Sequence, residues 1–301
     1  MATTTLHVQS STVDSSIGDY ITLLKPGVLS LVVFSGAVGL WFAPGALHPL
    51  QSFLAVLCIA MASGAGGAIN MWYDRDIDAV MKRTATRPVP AGRIAPDDAL
   101  AFGLVLALFS VLIMGMATNW WAAGLLAFAI YFYTVIYTMQ LKRHTPQNIV
   151  IGGAAGAFPP VIGWLAVSPE FAALPWVLFT IIFLWTPPHF WALALYRSGD
   201  YAKAKVPMLP VVAGVTSTKR HIVGYSYAMV LVSLLPIWVS AAGMAYGAGA
   251  LLLGGYFIIL AHRTKQSSET RDAMKLFGYS IAYLFLLFAL LVIDAIIFGT
   301  T

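Results

Sequence analysis

The sequence predicts an all-α integral membrane protein of nine transmembrane helices. Three observations carry that reading. The chain is 59% hydrophobic and only 10% charged over 301 residues, with mean hydropathy +0.82; a soluble protein is about a quarter charged. Successive apolar stretches are long enough to cross a bilayer, which takes about 20 residues of helix. All 17 Lys and Arg residues fall on one side, in alternate connections or, for Lys25, just before the first span, the bias that marks the cytoplasmic side.

Taken in order, residues 1–24 are polar, with Ser, Thr and Asp and no apolar core. They read as a disordered cytoplasmic tail rather than a signal peptide. Residues 25–301 form the transmembrane domain, with spans expected at 27–43, 51–72, 99–118, 119–139, 148–166, 173–194, 221–242, 245–261 and 277–299. The short connections "APGALHPLQ", "TNWW", "SPE" and "AYGAG" carry no Lys or Arg. The others hold Arg75 to Arg93, Lys142 and Arg143, Arg197 to Arg220, and Arg263 to Lys275. The N-terminus is then cytoplasmic and the C-terminus outside. The sequence pI near 9.3 follows from these loops and implies no nucleic acid. Cys58, alone in an apolar run, reads as a small buried hydrophobe. Pro187 and Pro188 predict a kink or break in the sixth span. The small residues at 152–157 permit close helix packing. Trp72, Trp120, Trp121 and Trp185 read as interfacial anchors or core.

The acids carry a second message. Every Asp and Glu except Glu170 and Asp294 lies on the side that holds the cations. Topology rules act weakly on acids, so something besides insertion places them there. Asn70, Asp74 and Asp78 are spaced by four and share one helical ridge, with Asp76 on another face. Two carboxylates and an amide so placed can hold a hard cation such as Mg²⁺, which keeps waters and takes phosphate oxygens. Lys82, Arg83, Arg87 and Arg93 follow at once, which suits an anion that arrives with its metal, diphosphate above all. The bland alternative is a solvated, salt-bridged loop. Two further charged loops share the face: "LKRHTPQN", with Lys142, Arg143, His144, Gln147 and Asn148, and "YRSGDYAKAKVPMLP", with Asp200, Lys203 and Lys205. His189, just past the two prolines, is an ionisable group near a span end and a functional candidate on that ground.

"NMWYDRDIDAVMKRTATRPVPAGRI" resembles the first aspartate-rich motif of the UbiA-type intramembrane prenyltransferases, and within them the haem O synthase branch. "KRHTPQNIVIGGAAGAFPPVIGW" and "PPHFWALALYRSGDYAKAKVPMLPV" are similar to segments of the same branch. The likeness covers nearly the whole chain after the tail. It implies nine helices around a central cavity capped by cytoplasmic loops, in the bacterial inner membrane. It also implies transfer of farnesyl from farnesyl diphosphate to a vinyl group of haem b with addition of water. The product serves terminal haem-copper oxidases, which makes a haem A synthase or an oxidase assembly protein the partner class. The implied Mg²⁺ ligands are Asn70, Asp74, Asp78 and Asp200, with Lys203 beside them in catalysis. Lys82, Arg83, Arg87, Arg143, Tyr196 and Lys205 would face the diphosphate, and His189 and His144 the haem. Many family members carry a second motif DxxxD where this chain has Tyr196-x-x-x-Asp200, so Lys203 and Lys205 would supply charge that a second metal otherwise brings. Rival readings are a prenyltransferase for a quinone precursor or other acceptor, and a membrane transporter. A transporter would set its ionisable groups near the bilayer midplane, and these lie at one face.

Overall fold

The computed structural model describes residues 15–299, and all regular structure among them is helical. Among these described residues, eight helices are long and apolar enough to cross a membrane. They are span 2 (Pro49–Tyr73), span 3 (Pro96–Ala117), span 4 (Trp120–His144), span 5 (Asn148–Val167), span 6 (Ala173–Tyr196), span 7 (Gly214–Trp238), span 8 (Met244–Gln266) and span 9 (Thr270–Phe298). Pro26–Phe42, 17 residues long, is span 1 and completes the expected nine. The last two spans run further into charged sequence than the apolar windows 245–261 and 277–299, because hydropathy marks only the part of a helix that lies in lipid.

The expected tail needs correction at its end. Residues 1–14 lie outside the described residues, but Ile17–Leu23 is a helix. Ser16 and Asp19 close a capping box, each side chain taking the other's backbone N–H at 3.2 Å. The Asp19 carboxylate also accepts from Arg93 Nε at 2.7 Å, and Leu23 is buried with Ala68, Met71, Val89 and Ile94. This helix meets span 1 at a 54° bend. Lys25 makes the bend with φ 55°, a left-handed conformation that costs a non-glycine residue about 1–2 kcal/mol.

Span 6 runs as one helix through Pro187 and Pro188, so the break, one of the two expected outcomes, does not occur. The prolines remove two i→i−4 bonds, yet the segment is buried on all sides from Trp185 to His189, and its neighbours hold the helix in place. Close helix approach is found at 152–157, as expected, and also between spans 1 and 5. A Cβ on Gly39 of span 1 would sit 2.0 Å from the Pro160 carbonyl, and one on Gly163 of span 5 would sit 2.0 Å from the Gly36 carbonyl. Gly152 and Gly153 make room for Tyr137 and Thr186. Cys58 is buried and free, as its surroundings predict. Trp120 and Trp121 are exposed at the start of span 4, and Trp185 is core.

Candidate active site

Span 2 ends at Tyr73, and a short helix, Arg75–Val80, carries on almost in register. Asp74 N bonds to Asn70 O at 2.9 Å and Asp78 N to Asp74 O at 2.7 Å, so the spacing of four survives the junction. Asn70, Asp74 and Asp78 are all buried, whereas the Asp76 side chain is 63% exposed. The ridge expected from the sequence is therefore present and points inward.

Cations close around it. Lys142 pairs with Asp74 Oδ2, and Arg87 Nη1 lies 2.7 Å from Asp78 Oδ2. Arg143 grips Asp76 with two bonds of 2.8 and 2.9 Å and keeps a third approach, 3.5 Å, to Asp74 Oδ1. That grip holds the Asp76 carboxyl below the usual carboxylate range. Asn70 is locked by three partners: Lys25 Nζ donates to its Oδ1 at 2.6 Å, and its Nδ2 donates to Asp74 Oδ2 at 2.7 Å and Thr138 Oγ1 at 3.1 Å. Lys25 can reach because Gly64 and Gly67 bring the chain bend against span 2; a Cβ on Gly67 would lie 2.9 Å from Leu23 O. Burial, then the nearby Arg87 and Lys142 charges, lowers the Lys25 amine to about 7.

Span 4 supplies the facing wall. Its segment Phe132–Leu141 is π-helical, a rare form frequent at functional sites. Tyr133 and Tyr137 stack there with centroids 5.6 Å apart, over Gly66 and Gly152. A second clamp joins the first charged loop to the third. Ile77 and Met81 pack with Ile149, Tyr201, Val206 and Met208 in one buried cluster. Arg83 and Arg87 come close enough to the Tyr201 hydroxyl to oppose the upward shift that burial gives it.

Other expected site residues make no bond to the ridge carboxylates among the described residues. Asp200 pairs with Arg197 at 3.6 Å, and Arg197 also lies 4.9 Å over the Tyr196 ring. Lys82, Arg83, Lys203, Lys205 and His144 are exposed at the rim, and His144 Nδ1 bonds its own helix at Gln140 O. Among the described residues, no three His, Cys, Asp or Glu side chains converge as a metal cluster. The donor set still fits a hard cation on one specific ground. Asp74 Oδ1 is fully buried and accepts no hydrogen bond, and the Arg143 approach is too long to serve as one. An orphaned carboxylate oxygen beside a locked amide is a vacancy in the hydrogen-bond pattern that a cation would complete.

His189 lies deeper. It is buried between Trp185 and Phe277, whose rings stack on it at 4.3 and 4.6 Å. Its Nδ1 is 2.6 Å from Ser280 Oγ, and that hydroxyl donates to Phe277 O at 2.6 Å. With the serine proton committed, Nδ1 carries the imidazole proton and Nε2 keeps its lone pair.

Lys25, Lys142, Thr138 and Tyr201 were not singled out from sequence as site residues. Lys142 was visible only as one of a basic pair. Lys25 stands 45 residues from its partner, and no local pattern announces that meeting.

The UbiA prenyltransferase family model matches residues 32–291, and the chain belongs to that family. It is 57% identical over 283 residues to Protoheme IX farnesyltransferase of Parvibaculum lavamentivorans, covering 93% of this chain and 89% of that one. It is 56% identical to the Acidiphilium cryptum protein of the same name, over 97% of this chain and 95% of that one. Solved structures show the same fold at low identity. A digeranylgeranylglyceryl phosphate synthase superposes with TM-score 0.76 at 19% identity, covering 93% of this chain and 98% of that one. A UbiA homolog from Archaeoglobus fulgidus bound to GPP and Mg²⁺ gives 0.64 at 17%, covering 91% and 99%.

Proposed function

We propose that this protein transfers the farnesyl group of farnesyl diphosphate to a vinyl group of haem b, with addition of water, to give haem O. The carrying observation is identity above one half, over nearly full length, to proteins named for that transfer. The ridge supplies a matching chemistry. Asp74 and Asp78, with Asn70, would hold Mg²⁺; the orphaned Asp74 oxygen supports that assignment, and Asp200 is a further candidate ligand. Bound Mg²⁺ would neutralise the diphosphate and make it a leaving group.

The chain's own residues do the rest. Lys25, Arg87, Lys142 and Arg143 already surround the carboxylates and can turn to the phosphate oxygens as negative charge grows on them. Lys82, Arg83, Lys203 and Lys205, with Tyr196, sit where the diphosphate would enter. The allylic C–O bond breaks with its electron pair going to diphosphate, and the vinyl carbon attacks the farnesyl cation. The positive charge then lies on the carbon next to the pyrrole. Water adds there and loses a proton. The walls formed by Tyr133, Tyr137 and the spans keep bulk water from the cation. His189, with Nε2 free, is the candidate haem contact, and His144 at the rim is a second. The charged end would face the cytoplasm of a bacterial inner membrane, with the N-terminus inside and the C-terminus outside. The product would pass to a haem A synthase or an oxidase assembly protein.

The test is a mass spectrum of haem recovered after the purified protein meets haem b, farnesyl diphosphate and Mg²⁺. A Mg²⁺-dependent species heavier than haem b by one farnesyl group and one water supports the proposal. Unmodified haem, with farnesyl diphosphate consumed only when an aromatic acceptor is present, overturns it in favour of another acceptor.

A further inference from the structure

Away from the ridge, an open cleft of about 500 Å³ runs between spans 6 and 7. Leu184 of span 6 forms one wall; Arg220, His221, Gly224, Tyr225 and Ala228 of span 7 form the other. The span 7 residues follow the i, i+1, i+4, i+5, i+8 pattern of a single helical stripe. From Arg220 to Ala228 the stripe covers about 12 Å, with its ionisable groups at the charged end of the bundle and its small apolar ones deeper. Tyr227 and Leu231 on the same helix are exposed, so the cleft opens at the outer surface of the bundle.

Three features specify an occupant. Arg220 is exposed and makes no ion pair among the described residues, whereas its neighbour Lys219 is committed to Ser267 O at 2.6 Å. His221 Nδ1 lies 2.9 Å from Ser217 O, a carbonyl that can only accept, so Nδ1 carries the proton and Nε2 offers a lone pair. The buried Trp191 meets His221 and Tyr225 edge-on at 5.8 and 5.4 Å, and its Nε1 has no hydrogen-bond partner. A ligand matched to these parts has a carboxylate for Arg220, a metal centre for the imidazole and an apolar body for the slot.

The geometry points to a second haem site in this cleft, at which an iron porphyrin is held by a propionate on Arg220 and by its iron on His221 Nε2. The inference rests on haem b being the acceptor. It places a docking position where haem leaves the lipid, on a different face of span 6 from His189. His189 and Trp191 are two residues apart and therefore about 200° apart around the helix axis.

Gly224 makes the site testable, because it lines the cleft and a Cβ there meets nothing within 4 Å, which leaves room to start a larger side chain. The experiment is an absorption titration of detergent-purified full-length protein with ferric haem b, for wild type, Gly224→Phe, His221→Ala and Arg220→Gln. Thermal melting of each variant controls for folding. Wild type should bind one haem more than Gly224→Phe. His221→Ala should lose the imidazole-ligated Soret band of that haem, and Arg220→Gln should bind it at least about tenfold more weakly. The dimethyl ester of haem should show the same weakening on wild type. Unchanged stoichiometry, affinity and spectrum in all three variants would overturn the site. So would wild type that retains phosphatidylglycerol in the cleft, loses it in Arg220→Gln, and binds haem as the variants do. Failure of the underlying reading shows separately, as wild type that adds no farnesyl group to haem.

Discussion

Asp74 and Asp294 are both buried carboxylates near span ends, with 0% and 2% exposure, and they are held in opposite ways. Asp294 accepts from two backbone N–H groups, Gly243 at 2.6 Å and Tyr246 at 2.9 Å. Those groups open span 8, so Asp294 caps that helix from across the bundle. Its partners are fixed dipoles that cannot leave. Asp74 has one oxygen on the Lys142 ammonium and an amide, and the other, 3.5 Å from Arg143 Nη2, accepts no hydrogen bond. Burial does not separate a structural acid from a working one. What separates them is whether the partners can be exchanged.

Matched substitutions sharpen that contrast. Asp74→Asn should lower turnover by about 10²–10³-fold or more with the fold intact, while Asp294→Asn should leave turnover per folded molecule near wild type; initial rates of haem O formation check both. The order should reverse for stability. Asp294→Asn leaves a buried backbone donor short of an acceptor and should cost about 1–3 kcal/mol, seen as a lower melting midpoint, whereas Asp74→Asn should change the midpoint less. A comparison that failed here, with both acids moving the same property, would dissolve the distinction.

His189 extends the test to a group whose second nitrogen is uncommitted. His189→Ala should weaken haem binding about tenfold or more, as expected for loss of a buried ligand contact, and leave farnesyl diphosphate binding unchanged. Equal haem affinity and an unchanged spectrum would return it to a packing role. The smallest effect belongs to Asp19, whose carboxyl is held below its ordinary value first by its bond to Arg93 and then by Ser16. A lowered folded-state pKa stabilises above the unfolded value and is lost as pH falls through the folded one. Asp19→Asn should therefore speed amide exchange in Ile17–Leu23 at neutral pH, and the difference from wild type should fade as pH falls through the lowered folded-state pKa.

Much of this was legible in the sequence, for a physical reason. Lipid selects long apolar helices and one-sided cations, so nine spans and the inward Asn70, Asp74, Asp78 ridge could be read from local pattern. The misses all depend on distant contacts. Ile17–Leu23 has the Ser16–Asp19 box in plain view, but its docking depends on Arg93. Lys25 enters the site only because Gly64 and Gly67 let the chain approach. The tolerance of Pro187 and Pro188 depends on the helices around them. Nothing short-range in "AYGAG" shows that its Tyr246 N–H is capped by Asp294, 48 residues away.

The most direct test of exchangeable against fixed partners is a calorimetric titration with farnesyl diphosphate, with Mg²⁺ and with a chelator, on wild type, Asp74→Asn and Asp294→Asn. The account predicts Mg²⁺-dependent binding in wild type and Asp294→Asn and its loss in Asp74→Asn. Undiminished Mg²⁺-dependent binding in Asp74→Asn, or equal loss in both variants, would contradict it.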